Sequence, residues 1–335
     1  MRLPSRLSLF VAFGLTACGS DTSTQPQELS HDFPPVQISP EEGETEKWCQ
    51  SWTLDNDEAI YVNAISMQND GFFHHSNWFW VPEDVYAGED GTWLCDERGY
   101  EQGAAAITGG VVFAQSTQAT DETLGFAPNA AFKIPPRSRI VGGLHLVNPS
   151  EVTVETSLSF QIKPIKKEQA EILMSPAAFT YYSLAIPTGK KSRFQGTCNL
   201  EKDFGAPIDF SFYYMLPHYH ALGTGTNLVA QMPNGPASVF GSEGQIGEPK
   251  SKKLDPPFSA AGSSTMTFSC DYFNNTGKEV GWGNAGGEMC ILVTWTDSPY
   301  MILAAVSEAG TLKETVDGVE IYEGKCGSLF MKNDD

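Results

Sequence analysis

Val152-Thr153-Val154-Glu155-Thr156-Ser157-Leu158-Ser159-Phe160-Gln161-Ile162 is the stretch that decides the fold class. Val152, Val154, Thr156, Leu158, Phe160 and Ile162 alternate with mostly polar residues. A period of two places one set on a single strand face, where it can be buried while the other set stays wet. The same habit recurs in Ala59-Ile60-Tyr61-Val62-Asn63-Ala64-Ile65, and Arg139-Ile140-Val141-Gly142-Gly143-Leu144-His145 is strand-like. The habit returns in Ile208 to Tyr214, Thr265 to Cys270 and Cys290 to Trp295. Thirty-two glycines and 21 prolines supply turns, and long helical periodicities are few. The expectation is an all-β protein. At 335 residues and 41% hydrophobic, the chain can bury about two cores. The charged, proline-flanked run from Lys163 to Glu171 is the expected junction between them. Gly223-Thr224-Gly225-Thr226 lacks the lysine of a phosphate cradle and reads as a turn.

The formal charge of −20 argues against nucleic acid or anionic membrane surfaces as partners. Residues 1–17 read as an export signal: Arg2 and Arg6 precede a short apolar run from Leu7 to Gly14, too brief to span a bilayer. Leu15-Thr16-Ala17-Cys18 resembles the lipobox of bacterial lipoproteins, so Cys18 is the expected lipidation site. Gly19, not aspartate, follows it, which points to delivery to the outer membrane, facing either the periplasm or the surface. Residues 18–46, rich in Ser, Thr, Pro, Gln and Glu, read as a flexible tether, with His31 a solvated linker residue. Domains are expected over residues 47–170 and 171–332. The six remaining cysteines form an even set in an exported chain, without any CxxC pair, and read as three disulfides. Sequence order favours Cys49–Cys95, Cys270–Cys290 and Cys198–Cys326.

Five of the six histidines cluster in three short segments: Phe72-Phe73-His74-His75-Ser76, Gly143-Leu144-His145-Leu146 and Pro217-His218-Tyr219-His220. Residues two apart on a strand share a face, so His218 and His220 can reach one ion. Two exposed histidines on a sheet face would look the same. A cupin would need a carboxylate four or five residues later, and Ala221-Leu222-Gly223-Thr224-Gly225 offers none. His74 and His75 can ligate together only if a bend or bulge breaks the alternation, and Asp70-Gly71 offers one. Phe72, Phe73, Trp78, Phe79 and Trp80 would surround them with apolar side chains. His145, taken alone, reads as a buried structural histidine.

Taken together, these segments resemble the copper type II, ascorbate-dependent monooxygenases, the family of peptidylglycine α-hydroxylating monooxygenase and dopamine β-monooxygenase. The resemblance runs from about residue 47 to 330. Its most specific element is Glu288-Met289-Cys290, which matches the family's Glu-Met-Cys signature. It implies two tandem antiparallel jelly-roll β-sandwich domains with a cleft between two mononuclear copper sites. His74, His75 and His145 would hold one ion and His218, His220 and Met289 the other, the latter being the catalytic set. It also implies O₂, a small-molecule substrate and an electron donor such as ascorbate, and the same three disulfides. Outside this resemblance, Met289 would be one of nine methionines and core filler. A thioether favours Cu(I), and imidazoles serve both copper oxidation states.

The resemblance has limits. The peptide-hydroxylating branch holds its substrate carboxylate with an arginine two positions before His-x-His, where this chain has Leu216. Ile291 and Val293 replace that branch's asparagine and tyrosine. Bidentate carboxylate recognition is then lost, so peptidylglycine is not the expected substrate and a more apolar pocket is. The competing expectation is a non-catalytic copper-binding surface lipoprotein, serving storage, delivery or interaction.

Overall fold

A computed structural model describes residues 26–244, 251–283 and 286–332. The expected export signal and Cys18 lie outside them. Numbering the principal strands in chain order, the first half holds β1 (Leu29–Asp32), β2 (Glu44–Thr53), β3 (Ile60–Asn69) and β4 (Phe73–Pro82). It continues with β5 (Gly110–Ala114), β6 (Ala130–Ile134), β7 (Ser138–Val147) and β8 (Leu158–Ile165). They form two sheets, in the orders β1-β8-β3-β6 and β2-β7-β4-β5, with shorter strands at the margins. First pairs with eighth, second with seventh, third with sixth and fourth with fifth, all antiparallel. That nesting is a jelly roll.

The second half repeats it. Its strands are β9 (Ser175–Tyr181), β10 (Lys191–Cys198), β11 (Ser211–His218), β12 (Gly223–Met232), β13 (Gly235–Glu243), β14 (Lys252–Ser259), β15 (Thr265–Phe273) and β16 (Ile291–Thr296). Orders β9-β16-β11-β14 and β10-β15-β12-β13 arise from the same nested antiparallel pairing. Two further strands follow, β17 (Tyr300–Val306) and β18 (Val319–Lys332). β18 pairs with β17 at one end and runs parallel to β10 at the other, joining the two sheets. The protein is therefore all-β, with two tandem antiparallel jelly-roll sandwiches. No described helix is long and apolar enough to cross a membrane.

Several expectations need correction. Residues 29–46 are not a tether: β1, the Val36–Ile38 strand and the start of β2 belong to the first roll. Phe33, Val36 and Ile38 are buried, and these few apolar residues, spaced among prolines and acids, suffice to dock the segment. His31 is not solvated. It pairs with Phe160 along the ladder and stacks on Trp52, ring centroids 4.7 Å apart. The junction also lies later than Lys163–Glu171. β8 runs through Pro164 by way of a register shift, and Ile172–Leu173 still pairs with β6. The second roll starts at Ser175. Gly223–Thr226 opens β12 and is not a turn. Ile208 and Phe210 are buried in the core ahead of the strand, which begins at Ser211.

Three disulfides join Cys49 to Cys95, Cys198 to Cys326 and Cys270 to Cys290, the expected pairs. Each stabilises by about 3 kcal/mol, chiefly by restricting the unfolded chain. Such bridges belong to chains that fold in oxidising, extracytoplasmic surroundings. Each roll has its own apolar core, and the first roll's core takes in Tyr214, Leu216 and Trp295 from the second. The two rolls thus pack through side chains on β11 and β16. Burying each such side chain contributes about 1.5–3 kcal/mol. Ser251 of the second roll also donates to the buried Glu122 carboxylate of the first, at 2.7 Å.

Candidate metal centre

The His74–His75 pair is delivered by a sharp turn and a bulge. The Asn69 side chain accepts from Gly71 N at 2.8 Å, and Gly71 and Phe72 both adopt positive φ, at 93° and 65°. On the β7–β4 ladder His145 faces His75, and Leu146 faces Phe73, so His74 is one residue too many. The bulge breaks the alternation and turns two adjacent rings the same way, with their Nδ1 atoms 3.0 Å apart. His145 comes from the neighbouring strand. Its ring lies 4.5 Å from that of His74 and 4.8 Å from that of His75. One ring nitrogen from each of the three falls within 4.8 Å of the others. A single ion can draw on all three.

His218 is the last residue of β11, and His220 lies just past the strand end, their rings 5.2 Å apart. The pair is therefore not fixed by strand periodicity alone. Glu288 supplies the rest. This buried carboxylate accepts from the backbone N–H of His220 at 2.8 Å and of Leu222 at 2.7 Å, gripping the turn that carries the second histidine. His220 Nδ1 lies 3.0 Å from the Gly287 carbonyl oxygen, and Tyr272 donates its hydroxyl to the Met289 carbonyl at 2.5 Å. Cys290, bridged to Cys270, anchors the next residue. Met289 accordingly belongs to the loop that holds His220, with its side chain half-buried.

The two histidine sets do not face each other across a cleft, contrary to the sequence-based expectation. Ring centroids of His75 and His218 are 4.6 Å apart, and those of His74 and His220 5.0 Å. The cause is the apolar packing of β11 onto the first roll, which draws both sets into one group of five imidazoles. Leu216 is part of that packing. It is 2% exposed and belongs to the first roll's core, with Val293 packed beside it. Leu216 and Val293 thus serve the contact between rolls and do not line an open pocket; Ile291, opposite His218 in the ladder, is half-buried.

Electrostatics favour the neutral form of His74, His75, His218 and His220. Burial pushes His74 down to about 4, with repulsion from His145 and His220 adding to it. His75 and His218 are driven well below the usual range, first by burial and then by neighbouring imidazoles, and His220 is lowered as well. Neutral imidazoles keep their lone pairs available. Three ring nitrogens of the group, His145 Nδ1, His218 Nε2 and His220 Nε2, are buried without a hydrogen-bond partner. On two of these rings the opposite nitrogen is engaged: His145 Nε2 with Glu44 at 2.5 Å and His220 Nδ1 with Gly287. His218 Nδ1 makes only a long contact to Thr117 Oγ1, at 3.5 Å. An unsatisfied buried polar atom costs about 1–3 kcal/mol, and a cation bound there would remove that cost. The donor set fits a borderline-soft metal.

Glu44, Glu46 and Glu288 escaped the sequence reading as contributors to this centre. The first two fall in what read as tether, a polar run without alternation before Trp48 and Cys49. Glu288 stood in the quoted triplet without a role of its own.

No protein-family model matches the chain, and no curated protein matches it. Among solved structures, it is similar to the cowpea mosaic virus empty particle, with 9% identity over 85% of this chain and 94% of that one, at a TM-score of 0.34. The PBSX exported protein XepA aligns over 80% and 86% of the two chains at 6% identity and a TM-score of 0.20. A triple jelly-roll protein of an archaeal virus aligns over 78% and 58% at 10% identity and 0.21. Likenesses this loose say nothing about function, and the jelly-roll assignment above rests on strand order alone.

Proposed function

We propose that this chain is a copper-dependent monooxygenase that hydroxylates a C–H bond of a small organic substrate, using O₂ and a reductant such as ascorbate. The observation that carries the reading is the set of buried, unpartnered imidazole nitrogens converging from both rolls. The Glu288-Met289-Cys290 triplet, placed on the loop that grips His220, supports it. His74, His75 and His145 would hold one copper, and His218, His220 and Met289 the other. Bound copper would supply one-electron chemistry towards dioxygen and substrate. The protein's share is to hold neutral imidazoles in place, to exclude water by burying them, and to offer a soft thioether at one site. No guanidinium lies two positions before His218, so a peptide carboxylate lacks its partner there. We further propose export with a lipid on Cys18 and residence at the outer membrane.

The test is stoichiometry followed by turnover. The mature chain should take up two equivalents of copper, and with ascorbate it should couple O₂ uptake to hydroxylated product from a panel of C–H substrates. A single equivalent, or none, defeats the proposal. One observation favours a second reading, a copper-binding surface lipoprotein without turnover. The five rings touch directly, which leaves no room for a substrate between the two sets in this conformation. Two bound equivalents with only uncoupled oxidation would decide for it.

A further inference from the structure

His145 lies where both neighbouring strands are irregular. β4 carries His74 as an extra residue, and β2 also gains one: Leu144 faces Trp48 while Leu146 faces Thr45. These paired bulges direct two carboxylates of β2 at one imidazole. Glu44 Oε1 lies 2.5 Å from His145 Nε2. Glu46 Oε1 lies 3.3 Å from His145 Nδ1, close enough for an ion pair, but no hydrogen bond joins them and that nitrogen is buried. Glu44 is held in turn by the β2–β7 ladder, where it faces Val147, and by the adjacent bond from Asn148 N to the Gly43 carbonyl at 2.6 Å.

We infer that Glu44 is a positioning residue: its carboxylate accepts the Nε2–H of His145 and so presents Nδ1, with its lone pair, to the metal. An ionised carboxylate only accepts hydrogen bonds, so the His145 nitrogen that faces Glu44, Nε2, is the one that carries hydrogen when the ring serves as a ligand. Nδ1 is then the donor atom, on the same kind of nitrogen that His74 and His75 bring within 3.0 Å of each other. Carboxylates behind metal-bound histidines fix ring orientation and raise ligand basicity, and losing one typically costs 10–100-fold in metal affinity. The inference deepens the copper reading and rests on it for its consequence, although the tautomer itself exists without metal.

The experiment has two readouts on the full mature chain. Nitrogen-15 NMR of the metal-free protein should find His145 as the Nε2–H tautomer, and Glu44→Ala should populate the other tautomer. In a copper titration against a chromophoric chelator, Glu44→Ala should weaken one equivalent by about 10–100-fold and leave the other unchanged. Glu44→Gln, which retains an accepting oxygen, should keep the tautomer and lose less affinity at that one site. Glu46→Gln should leave the tautomer unchanged. An unaltered tautomer and affinity in Glu44→Ala overturns the inference, as does a tautomer switch in Glu46→Gln. If Glu44→Ala does not fold, equal affinity changes at both sites in Glu44→Gln overturn it. Wild-type protein that shows the tautomer but binds no copper would sink the copper reading instead.

Discussion

His74 titrates near 4 because it is buried first and faces other imidazoles second. Unfolded, it would titrate near 6.5, so between these values the unfolded chain binds more protons and stability falls as pH falls. His75, His218 and His220 shift the same way. Glu288 opposes them: burial raises it to about 7 from 4.5, so its protonation below neutrality favours the fold. Four imidazoles outweigh one carboxylate. The melting temperature of the metal-free protein should therefore drop by several degrees between pH 6.5 and 4, and a flat or rising profile would contradict the burial assigned to these rings. A second residue-scale expectation concerns Met289. Met289→Leu keeps the volume but removes the soft donor, so Cu(I) affinity should fall at one site and stay unchanged at the other. Equal weakening of both sites would break the division of ligands. Met289 was legible in the sequence only through its neighbours, Glu288 and Cys290. Glu44 was not legible, since nothing in a polar run announces which distant ring a carboxylate will meet.

At the level of elements, the turn from His218 to Gly223 shows how closely backbone and ring are matched. A Cβ built on Gly223 would lie 2.0 Å from the Tyr219 ring, which is buried between the two histidines and donates to the Gly244 carbonyl at 2.8 Å. Gly223→Ala should displace that ring and with it the adjacent imidazoles. The expected outcome is a folded protein by circular dichroism that has lost, or weakened at least tenfold, one copper equivalent; full retention of both would show the turn to be more forgiving than its packing implies. Gly142 offers a purely structural contrast. Its Cβ would meet the Trp78 indole at 2.4 Å, so Gly142→Ala should overpack the first roll by about 1–3 kcal/mol, measurable as a lower urea midpoint. The strands themselves were legible because period-two alternation survives in β8 and through the first half of β15 and β16, whereas β7 is buried on both faces and carries none. The bulge at His74 was legible too, since adjacent histidines can share a face only through one. The opening segment was not, because Phe33, Val36 and Ile38 are too sparse to read as strand until Leu158 and Phe160 are seen beside them.

For the whole molecule, the decisive event is the meeting of the two rolls, and no local pattern foretold it. Leu216 and Val293 read as pocket lining because only their apolar character was visible, whereas their partners lie in the other roll. The contact combines Tyr214, Leu216 and Trp295 with the Ser251–Glu122 hydrogen bond, and it brings His218 against His75. Leu216→Asp would bury an unpaired charge in that seam, a cost met most cheaply by separating the rolls. Each roll keeps its own core and disulfides, so both should remain folded. Separation re-wets His218, whose burial is the first cause that holds it low, and removes the neighbouring rings of His74 and His145, while His220 stays beside it. The pKa of His218 should climb back towards 6.5 while the radius of gyration in solution scattering increases. If His218 stayed neutral at pH 5 in a protein of unchanged dimensions, the seam would not be what gathers the five imidazoles, and their contact would have to be built into each roll separately.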